Sequence, residues 1–347
     1  MNILCIDPTS DPLWQRLVDR DESSVFHSPE WIRVLRETYG FEICAHVVVD
    51  RIDEPRAGIP SCRILDFLGD RVNALPFSDF CDPLVDDRDQ WNSLVDRLLK
   101  EGSTVTVRCL HNTLPLADPR FSLVKQAGWH RLHLAPGLDA IWNGLHSSAR
   151  RAIRKAERDG VVIELTREEK ALRAFFEMHV KVRKYKYRLL AQPYRMFENI
   201  WRHFMEREKG FVMVAAHHGE IIGGILFLEW RDTLYYKFNA SSLSELSQRP
   251  NDLLMWESIK YAKEKGYNYL DFGLSDWDQE GLVRYKRKYA TEEKTISYLR
   301  CAPNGTPIEG EKQVRSVLTQ VTGLFTDESV PDSVTEKAGD ILYRYFA

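Results

Sequence analysis

The sequence predicts an α/β protein of the α+β type, with a mixed sheet and two similar domains in tandem. The chain has 347 residues, which is enough for two domains of roughly 150 residues each. In residues 161–301, β-branched runs and helical periodicity alternate in the order β-α-α-β-β-β-α-β-α-β. Residues 3–134 repeat this order more faintly and without a residue-level repeat. A strongly basic helix at 147–159 is predicted between the two halves.

The elements of the second half are the clearer ones. The run at 161–165 predicts a strand, and Thr166 with Glu169 predicts a capping box that begins a helix. A second helix follows Pro193 and is expected to end at Gly210. Asn251 is predicted to cap the helix that follows the meander. The further elements are strands at 211–216, 221–230 and 234–240, a helix at 251–265, a strand at 267–272, a helix at 280–289 and a strand at 294–301.

The first half is predicted by weaker versions of the same patterns. Its expected strands are 3–6, 43–49, 61–67, 71–75, 104–109 and 129–134, and its expected helices are 12–18, 29–39 and 89–100. We therefore expect one domain at 1–145 and a second at 146–302 that begins with the basic helix. Residues 303–347 are expected to form a helical extension packed on the second domain.

Composition limits the classes of function. The chain is 44% hydrophobic and 29% charged with a net charge of -3, and its mean hydropathy is -0.38. These values are typical of a globular protein and argue against a DNA-binding function. The sequence shows neither a secretory leader nor an apolar run of about 18 residues. We expect a cytoplasmic protein, with peripheral contact at the inner membrane face as an alternative.

The six cysteines lie at positions 5, 44, 62, 81, 109 and 301. None of them forms a C-x-x-C pair, and their spacing matches neither a zinc motif nor a disulfide framework. The sequence therefore predicts free thiols and no metal site.

Several segments together resemble one family. They are Phe26–Trp31, Leu75–Phe80, Ser148–Glu157, Asn251–Gly273 and Gly281–Lys286, the last similar to a Gly-Leu-x-x-Phe-Lys segment. Over about residues 1–300 the chain resembles the FemABX peptidoglycan bridge-forming aminoacyltransferases, a branch of the GNAT acyltransferase superfamily. The resemblance implies two tandem GNAT-like domains. It also implies transfer of an acyl or aminoacyl group to an amine of a cell-envelope or polysaccharide precursor, without a covalent intermediate.

Lys286 is the first candidate for a catalytic residue. The resemblance implies that its ammonium stabilises the oxyanion of the reacting carbonyl and that Tyr285 lines the site, where the family has Phe. The residues alone also allow a solvated basic turn, because Arg284, Arg287 and Lys288 make the segment a charge run.

Asp271 and Asp276 are further catalytic candidates. They flank residues 273–275 just past a predicted strand end, where α/β proteins place ligands. Either carboxylate could accept a proton from the incoming amine or bind its ammonium. The alternative is an ordinary turn in which Asp276 caps the next helix.

Two sets of residues are candidates for substrate binding in the second domain. His179, Arg183 and Lys186 lie at i, i+4 and i+7 and would share a helix face suited to phosphate or carboxylate; a core histidine is the alternative. The second set is Tyr236, Lys237 and Asn239 on the third meander strand. The Tyr236 hydroxyl could donate to a substrate carbonyl.

The basic helix carries Arg150, Arg154 and Arg158 at successive i+4 positions. Such a stripe could bind tRNA or the phosphates of a nucleotide sugar. A solvated helix between domains is the competing interpretation.

The prediction of the acyl donor depends on a loop that the sequence lacks. GNAT enzymes that use acetyl-CoA carry a glycine-rich loop that holds the pyrophosphate, whereas residues 248–252 and 76–82 contain no glycine. We therefore expect no bound cofactor and an aminoacyl-tRNA donor, as the resemblance implies. An N-acyltransferase that uses acyl-CoA or an acyl carrier protein is the alternative. A non-catalytic module that binds a glycan precursor or a protein is the alternative of another class.

Overall fold

The computed structural model describes residues 2–20, 23–67, 69–100, 102–302 and 311–347. Within these ranges the chain folds as a mixed α/β structure, as predicted. The strands are β1 (Asn2–Ile6), β2 (Glu42–Val49), β3 (Pro55–Asp66), β4 (Gly69–Asn73), β5 (Thr104–Cys109), β6 (Ser122–His133), β7 (Val162–Thr166), β8 (Gly210–His217), β9 (Glu220–Trp230), β10 (Thr233–Ser241), β11 (Tyr269–Asp276) and β12 (Glu292–Cys301).

The helices begin and end mostly where the sequence periodicity places them. They are α1 (Pro12–Val18), α2 (Pro29–Tyr39), α3 (Arg88–Leu99), α4 (Leu138–Gly144), α5 (Ser147–Arg158), α6 (Glu169–Lys181), α7 (Tyr194–His203), α8 (Pro250–Glu264), α9 (Glu280–Lys286), α10 (Glu311–Phe325) and α11 (Asp332–Leu342). Among the described residues, none of these helices is long and apolar enough to cross a bilayer.

The chain divides into two compact units. Unit 1 comprises Met1–Ala127, Thr295–Gln320 and Arg344–Ala347, and unit 2 comprises Gly128–Lys294 and Val321–Tyr343. The sequence-based domains 1–145 and 146–302 have different bounds, because residues 128–145 pack with unit 2. The expected extension at 303–347 is also divided between the units, and its residues 303–310 lie outside the described part of the chain.

Unit 1 is built on strands in the order β1-β2-β3-β4-β5-β12. The pairs β1–β2, β2–β3, β3–β4 and β5–β12 are antiparallel, and β4–β5 is parallel. The core contains Trp14, Trp31 and Trp91, whose indole nitrogens donate to the His27 carbonyl, the Ser78 hydroxyl and the Asp118 carboxylate. Large aromatic side chains thus fill the core without leaving their polar atoms unsatisfied.

Unit 2 is built on strands in the order β6-β11-β10-β9-β8-β7. The antiparallel meander β8–β9–β10 is the predicted one, and β11 joins it in parallel after the crossover helix α8. Helices α5 and α8 cover one face, and a cluster of buried side chains from Leu132 to Tyr289 forms the core beneath them. Glycines at 223 and 224 admit the side chains of Leu254 and Phe175 against the meander.

Three predicted helix ends are wrong in detail. Thr166 is the last residue of β7 and accepts from the amide of Glu168, so it does not cap α6. Gly210 opens β8, because the left-handed residue that ends the preceding turn is Glu208. Asn251 lies inside the first turn of α8, whose preceding residue Arg249 takes the left-handed conformation.

Candidate functional site

The candidate site lies where β10 and β11 stop pairing. Their parallel register runs from Thr233↔Tyr269 to Tyr235↔Asp271. Beyond these pairs β10 continues to Ser241 and β11 to Asp276, and β10 has an irregularity at 236–238 in its pairing with β9. Carboxyl ends of parallel strands are the usual ligand positions in mixed sheets. We name this region, formed by 236–241 and 272–276, the strand opening.

A glycine in the left-handed conformation shapes one side of the strand opening, within β11. Gly273 has a φ of +67°, a conformation that favours glycine. The Asp271 carboxylate accepts from the Gly273 amide at 2.6 Å and from Trp129 Nε1 at 2.9 Å. Asp271 is 3% exposed. Both aspartates lie within β11, which runs to residue 276. The strand therefore continues four residues past its predicted end at 272, and Asp276 does not cap the next helix, whose first flanking residue is Gln279.

Lys286 is held at this glycine. Its Nζ donates to the carbonyl oxygens of Gly273 at 3.0 Å and Leu274 at 2.8 Å, and the residue is 2% exposed. Arg284 and Arg287 on the same segment are exposed, because Lys286 lies three residues after the buried Val283 on the inner face of α9. A cation with fixed partners at a strand opening can stabilise developing negative charge without reorganising first.

A hydrogen-bonded network closes the other side of the strand opening. The Asn251 side-chain oxygen accepts from Asn239 Nδ2 at 2.9 Å and from the Ser241 hydroxyl at 2.6 Å. The Tyr285 hydroxyl donates to the Asn251 carbonyl at 2.8 Å, and burial raises the pKa of Tyr285. The network fixes the end of β10 and the segment before Lys286 to the start of α8.

The first turn of α8 contains a buried carboxylate. Asp252 is 7% exposed and accepts from the Tyr289 hydroxyl at 2.6 Å, and Lys288 Nζ lies 3.7 Å from it. Burial, and then the Asp252 charge, raise the pKa of Tyr289. The Asp252 carboxylate therefore lies at the N-terminus of α8, the end of the helix that favours negative charge.

The other strand candidates lie on β10. Tyr236 is 9% exposed and packs in the core of unit 2, and burial raises the pKa of its phenol. Lys237 is half-buried, with Nζ 5.6 Å from the centre of the Phe238 ring. Asn239 is hydrogen-bonded to Asn251, and Tyr236 is close enough to Tyr285 for their charges to interact. Lys237 falls at the irregularity in the pairing of β10 with β9.

The helix face predicted from His179, Arg183 and Lys186 does not form as expected. Residues 182–186 make a π-helical turn, which changes the i+4 and i+7 geometry. His179 is buried against Phe175 and Phe197, its Nε2 lies 2.8 Å from Gln192 Oε1, and burial lowers its pKa to about 3. These contacts are those of a core histidine.

The basic helix is α5, as predicted. Its buried face is Ala149, Ile153 and Ala156, which packs towards α8. Arg150 is half-buried, Arg154 is exposed with its guanidinium carbon 5.4 Å from the centre of the Trp142 ring, and Arg158 is exposed. The arginine stripe thus remains on the outer side of the helix.

One group near Lys286 has no signal in the sequence. His130 on β6 is 0% exposed, its Nε2 lies 2.7 Å from Glu293 Oε2, and Glu293 also accepts two hydrogen bonds from Arg287. Burial and the Lys286 charge lower the pKa of His130. The pair joins residues 163 positions apart, so no local motif could reveal it.

Residues 145–287 match the family model described as "Acetyltransferase (GNAT) domain". This range includes α5 to α9 and therefore all of the strand opening. That part of the chain is similar to a GNAT acetyltransferase domain. Among curated proteins, none matches the chain significantly.

Several solved structures have a similar fold over most of the chain. The crystal structure of FemX has a TM-score of 0.67 at 14% identity, covering 92% of this chain and 100% of that one. L-PGS from Bacillus licheniformis has a TM-score of 0.57 at 12% identity over 93% and 99% of the two chains. A tandem GNAT protein from the clavulanic acid biosynthesis pathway has a TM-score of 0.57 at 11% identity over 88% and 99%. The predicted fold of two tandem GNAT-like domains is confirmed.

Proposed function

We propose that this chain transfers an acyl or aminoacyl group to an amine, and that the chemistry takes place at the strand opening of unit 2. The observation that carries the proposal is the buried Lys286 ammonium, held by the Gly273 and Leu274 carbonyls where β10 and β11 part. The GNAT family match covers this region.

The proposed reaction forms one bond and breaks one. The amine nitrogen attacks the carbonyl carbon of an activated ester, the carbonyl oxygen takes the negative charge, and the ester C–O bond then breaks. The amine loses one proton and the departing oxygen gains one. No covalent enzyme intermediate is needed, since positioning of the two substrates supplies much of the rate.

Lys286 is the proposed oxyanion-stabilising residue. Loss of one such donor costs about 10²–10³ in turnover in a well-studied hydrolase, which sets the expected scale. Asp276, half-buried at the end of β11, is the proposed acceptor for the amine proton. Asp271 is a positioning residue, because Trp129 and the Gly273 amide already bind its carboxylate.

The start of α8 supports a donor other than CoA. In a GNAT fold a pyrophosphate would approach the amides of this helix start. Here Pro250 lacks one amide, and the buried Asp252 carboxylate would repel a diphosphate. An aminoacyl-tRNA, whose acyl group is an ester on a nucleoside, remains the preferred donor. The outer arginines Arg150 and Arg154 are the proposed contacts for its phosphates.

A cell-envelope or polysaccharide precursor is the proposed acceptor. The support is the structural similarity to FemX and to a domain of a putative lysylphosphatidylglycerol synthetase from Agrobacterium fabrum, with a TM-score of 0.54 at 14% identity. The proposed placement is the cytoplasm, with access to precursors at the inner membrane face.

An N-acyltransferase that uses acyl-CoA or an acyl carrier protein is the second candidate. The description of the matching family model as an acetyltransferase favours it. Acyl carrier protein would avoid the conflict at Asp252 only if its phosphopantetheine phosphate lay away from the α8 start.

The first experiment measures donor binding by the purified full-length chain. Thermal midpoints would be compared with acetyl-CoA, with a longer acyl-CoA and with a mixed aminoacyl-tRNA pool. A ligand at 100 times its dissociation constant adds about 2.7 kcal/mol to the stability of the native state, which such a scan detects. A shift with charged tRNA and none with acyl-CoA is the expected result. A shift with acyl-CoA alone would refute the assigned donor.

The second experiment tests Lys286 with a matched control. Transfer of radiolabelled amino acid from charged tRNA to a mixture of envelope precursors would be followed with Lys286→Met and with Lys260→Met. Lys260 is on the surface of α8, paired with Glu257. We expect turnover to fall by about 10²-fold or more in Lys286→Met only. Equal turnover in both variants would contradict the proposed role, and donor binding without turnover in the wild type would indicate a binding module.

A further inference from the structure

One face of the sheet in unit 1 gathers thiol, imidazole and hydroxyl groups from three neighbouring strands. Cys5 on β1 pairs directly with His46 on β2, and Cys44 on β2 pairs directly with Ser61 on β3. Side chains of paired residues point to the same face, and residues two apart on a strand do so as well. The register therefore places all four side chains together.

The side-chain atoms converge as the register requires. The Sγ atoms of Cys5 and Cys44 and a ring nitrogen of His46 all lie within 4.8 Å of one another. Cys44 Sγ lies 3.9 Å from His46 Nδ1, and the Ser61 hydroxyl lies 3.5 Å from Cys44 Sγ and 3.3 Å from His46 Nδ1.

These separations are close to those of a tetrahedral metal site. Zinc bonds of about 2.3 Å to sulfur and about 2.0 Å to nitrogen give tetrahedral edges of roughly 3.5–3.8 Å between donor atoms. The Cys44–His46 separation already matches such an edge to within a few tenths of an ångström. The Cys5 Sγ lies within 4.8 Å of the other two donor atoms, and its side chain is exposed, so it is the donor that would have to move for a third bond.

The donors face a cavity that gives access and room. Its volume is about 550 Å³, and Cys5, Cys44, His46 and Ser61 line it. The cavity also contains Arg36, which pairs with Asp7 at 2.9 Å, and Arg63, which pairs with Asp70 at 2.6 Å. Carboxylates thus balance both of these guanidinium charges. A third arginine, Arg97, also lines the cavity, and its charge acts on Cys44 in the direction that favours the thiolate.

We propose that Cys5, Cys44 and His46 bind one thiophilic d¹⁰ cation, Zn²⁺ or Cu⁺, with the fourth position beside the Ser61 hydroxyl and open to the cavity. Two thiolates and one imidazole are the ligands that these ions prefer. Binding releases the two thiol protons to solvent. The ion would link β1, the end strand of unit 1, to β2. These residues are remote in sequence from the strand opening, so the proposal does not depend on the transfer activity.

The test uses the full-length chain, reduced and stripped of metal, titrated with Co²⁺ as a spectroscopic probe. One equivalent is expected to give thiolate-to-cobalt charge-transfer absorption that Zn²⁺ removes by displacement. Competition with a Cu⁺-selective chelator then decides which of the two ions is held more tightly. Thermal midpoints with and without Zn²⁺ give a second readout.

Three variants make the assignment specific. Cys5→Ala and Cys44→Ala should each weaken binding by at least about tenfold, since even outer-shell changes cost 10–100-fold. Cys62→Ala is the control, because Cys62 follows Ser61 on β3 and points to the opposite face. The Cys5 side chain is exposed, so its variant is expected to fold.

Three results would overturn the assignment: no charge-transfer band in the wild type, an unchanged band in both ligand variants, or an equal loss in Cys62→Ala. Isolation of a Cys5–Cys44 disulfide with no metal uptake after reduction would also overturn it.

Discussion

A buried histidine in unit 1 should make the protein unstable in mild acid. His27 is 0% exposed. Its Nε2 must donate to the Asp82 carbonyl at 2.8 Å, while Nδ1 accepts from the Ser24 amide at 3.0 Å. A second proton on Nδ1 would bury a cation and remove the acceptor for that amide. Burial, the largest cause, lowers the pKa of His27 from 6.5 to about 4.

The sign of the effect follows from the two pKa values. Between pH 6.5 and 4 the unfolded chain binds a proton at this position and the folded chain does not, so the free energy of unfolding falls as the pH falls. The contribution is fully present above pH 6.5 and lost near pH 4. A shift from 6.5 to about 4 corresponds to roughly 3 kcal/mol, at 1.36 kcal/mol for each pKa unit.

The assay is urea unfolding at constant ionic strength from pH 7.5 to 4.5, followed by tryptophan fluorescence, for the wild type and His27→Gln. The Gln amide can still donate to the Asp82 carbonyl but does not titrate. We expect the variant to be less stable at pH 7.5 and the two curves to converge by pH 4.5. His218→Gln, in the exposed turn between β8 and β9, is the control. A constant difference between wild type and His27→Gln across this range would refute the reasoning.

Three further substitutions test the packing of unit 2. Gly339→Ala would place Cβ 2.4 Å from the Ala191 carbonyl oxygen, so a loss of about 1–3 kcal/mol in urea unfolding is expected despite the better helix propensity of Ala. Trp129→Phe removes a donor to the buried Asp271 and should lower the thermal midpoint and the turnover, with KM little changed. Lys184→Met removes the bond from a fully buried ammonium to Asp332 and should speed proteolysis of residues 321–343; unchanged cleavage would contradict that role.

Much of the fold of unit 2 could be predicted because its signals are local. The meander strands carry β-branched runs separated by tight turns, and α5 has a clear helical period with Ala149, Ile153 and Ala156 on its buried face. The boundaries of the two units could not be predicted from the sequence. Residues 128–133 belong to a strand whose pairing partners come much later in the chain. The contact from Trp129 to Asp271 is of this kind.

The sequence could name Lys286 and Asp271 as candidates, but it could not give the geometry that brings them together. The position of Lys286 three residues after Val283 indicates an inward side chain, although the surrounding charges suggest a solvated turn. The Asp271 carboxylate accepts from the Gly273 amide, and this role depends on the left-handed backbone of Gly273, which has no sequence pattern of its own. The π-helical turn at 182–186 likewise removed the helix face expected for His179 and Arg183.

The cysteine cluster was missed for a related reason. Cys44 and His46 are two residues apart, which on a strand means the same face, and that local signal was present. Cys5 joins them only through the register of β1 on β2, and a one-residue shift would send it to the other face. Spacing rules developed for zinc motifs in loops do not detect such cross-strand sites.

At Lys286 this chain differs in one residue from the FemABX segment that it resembles, and the difference has a structural consequence. Where the family has Phe, Tyr285 uses its hydroxyl to bind the Asn251 carbonyl at the start of α8, and Asn251 in turn orders Asn239 and Ser241 at the end of β10. The next residue, Lys286, donates to the Gly273 carbonyl of β11. Two successive residues of α9 therefore hold the two sides of the strand opening at a fixed separation. Such preorganisation is what a cation needs in order to stabilise a transition state more than a ground state.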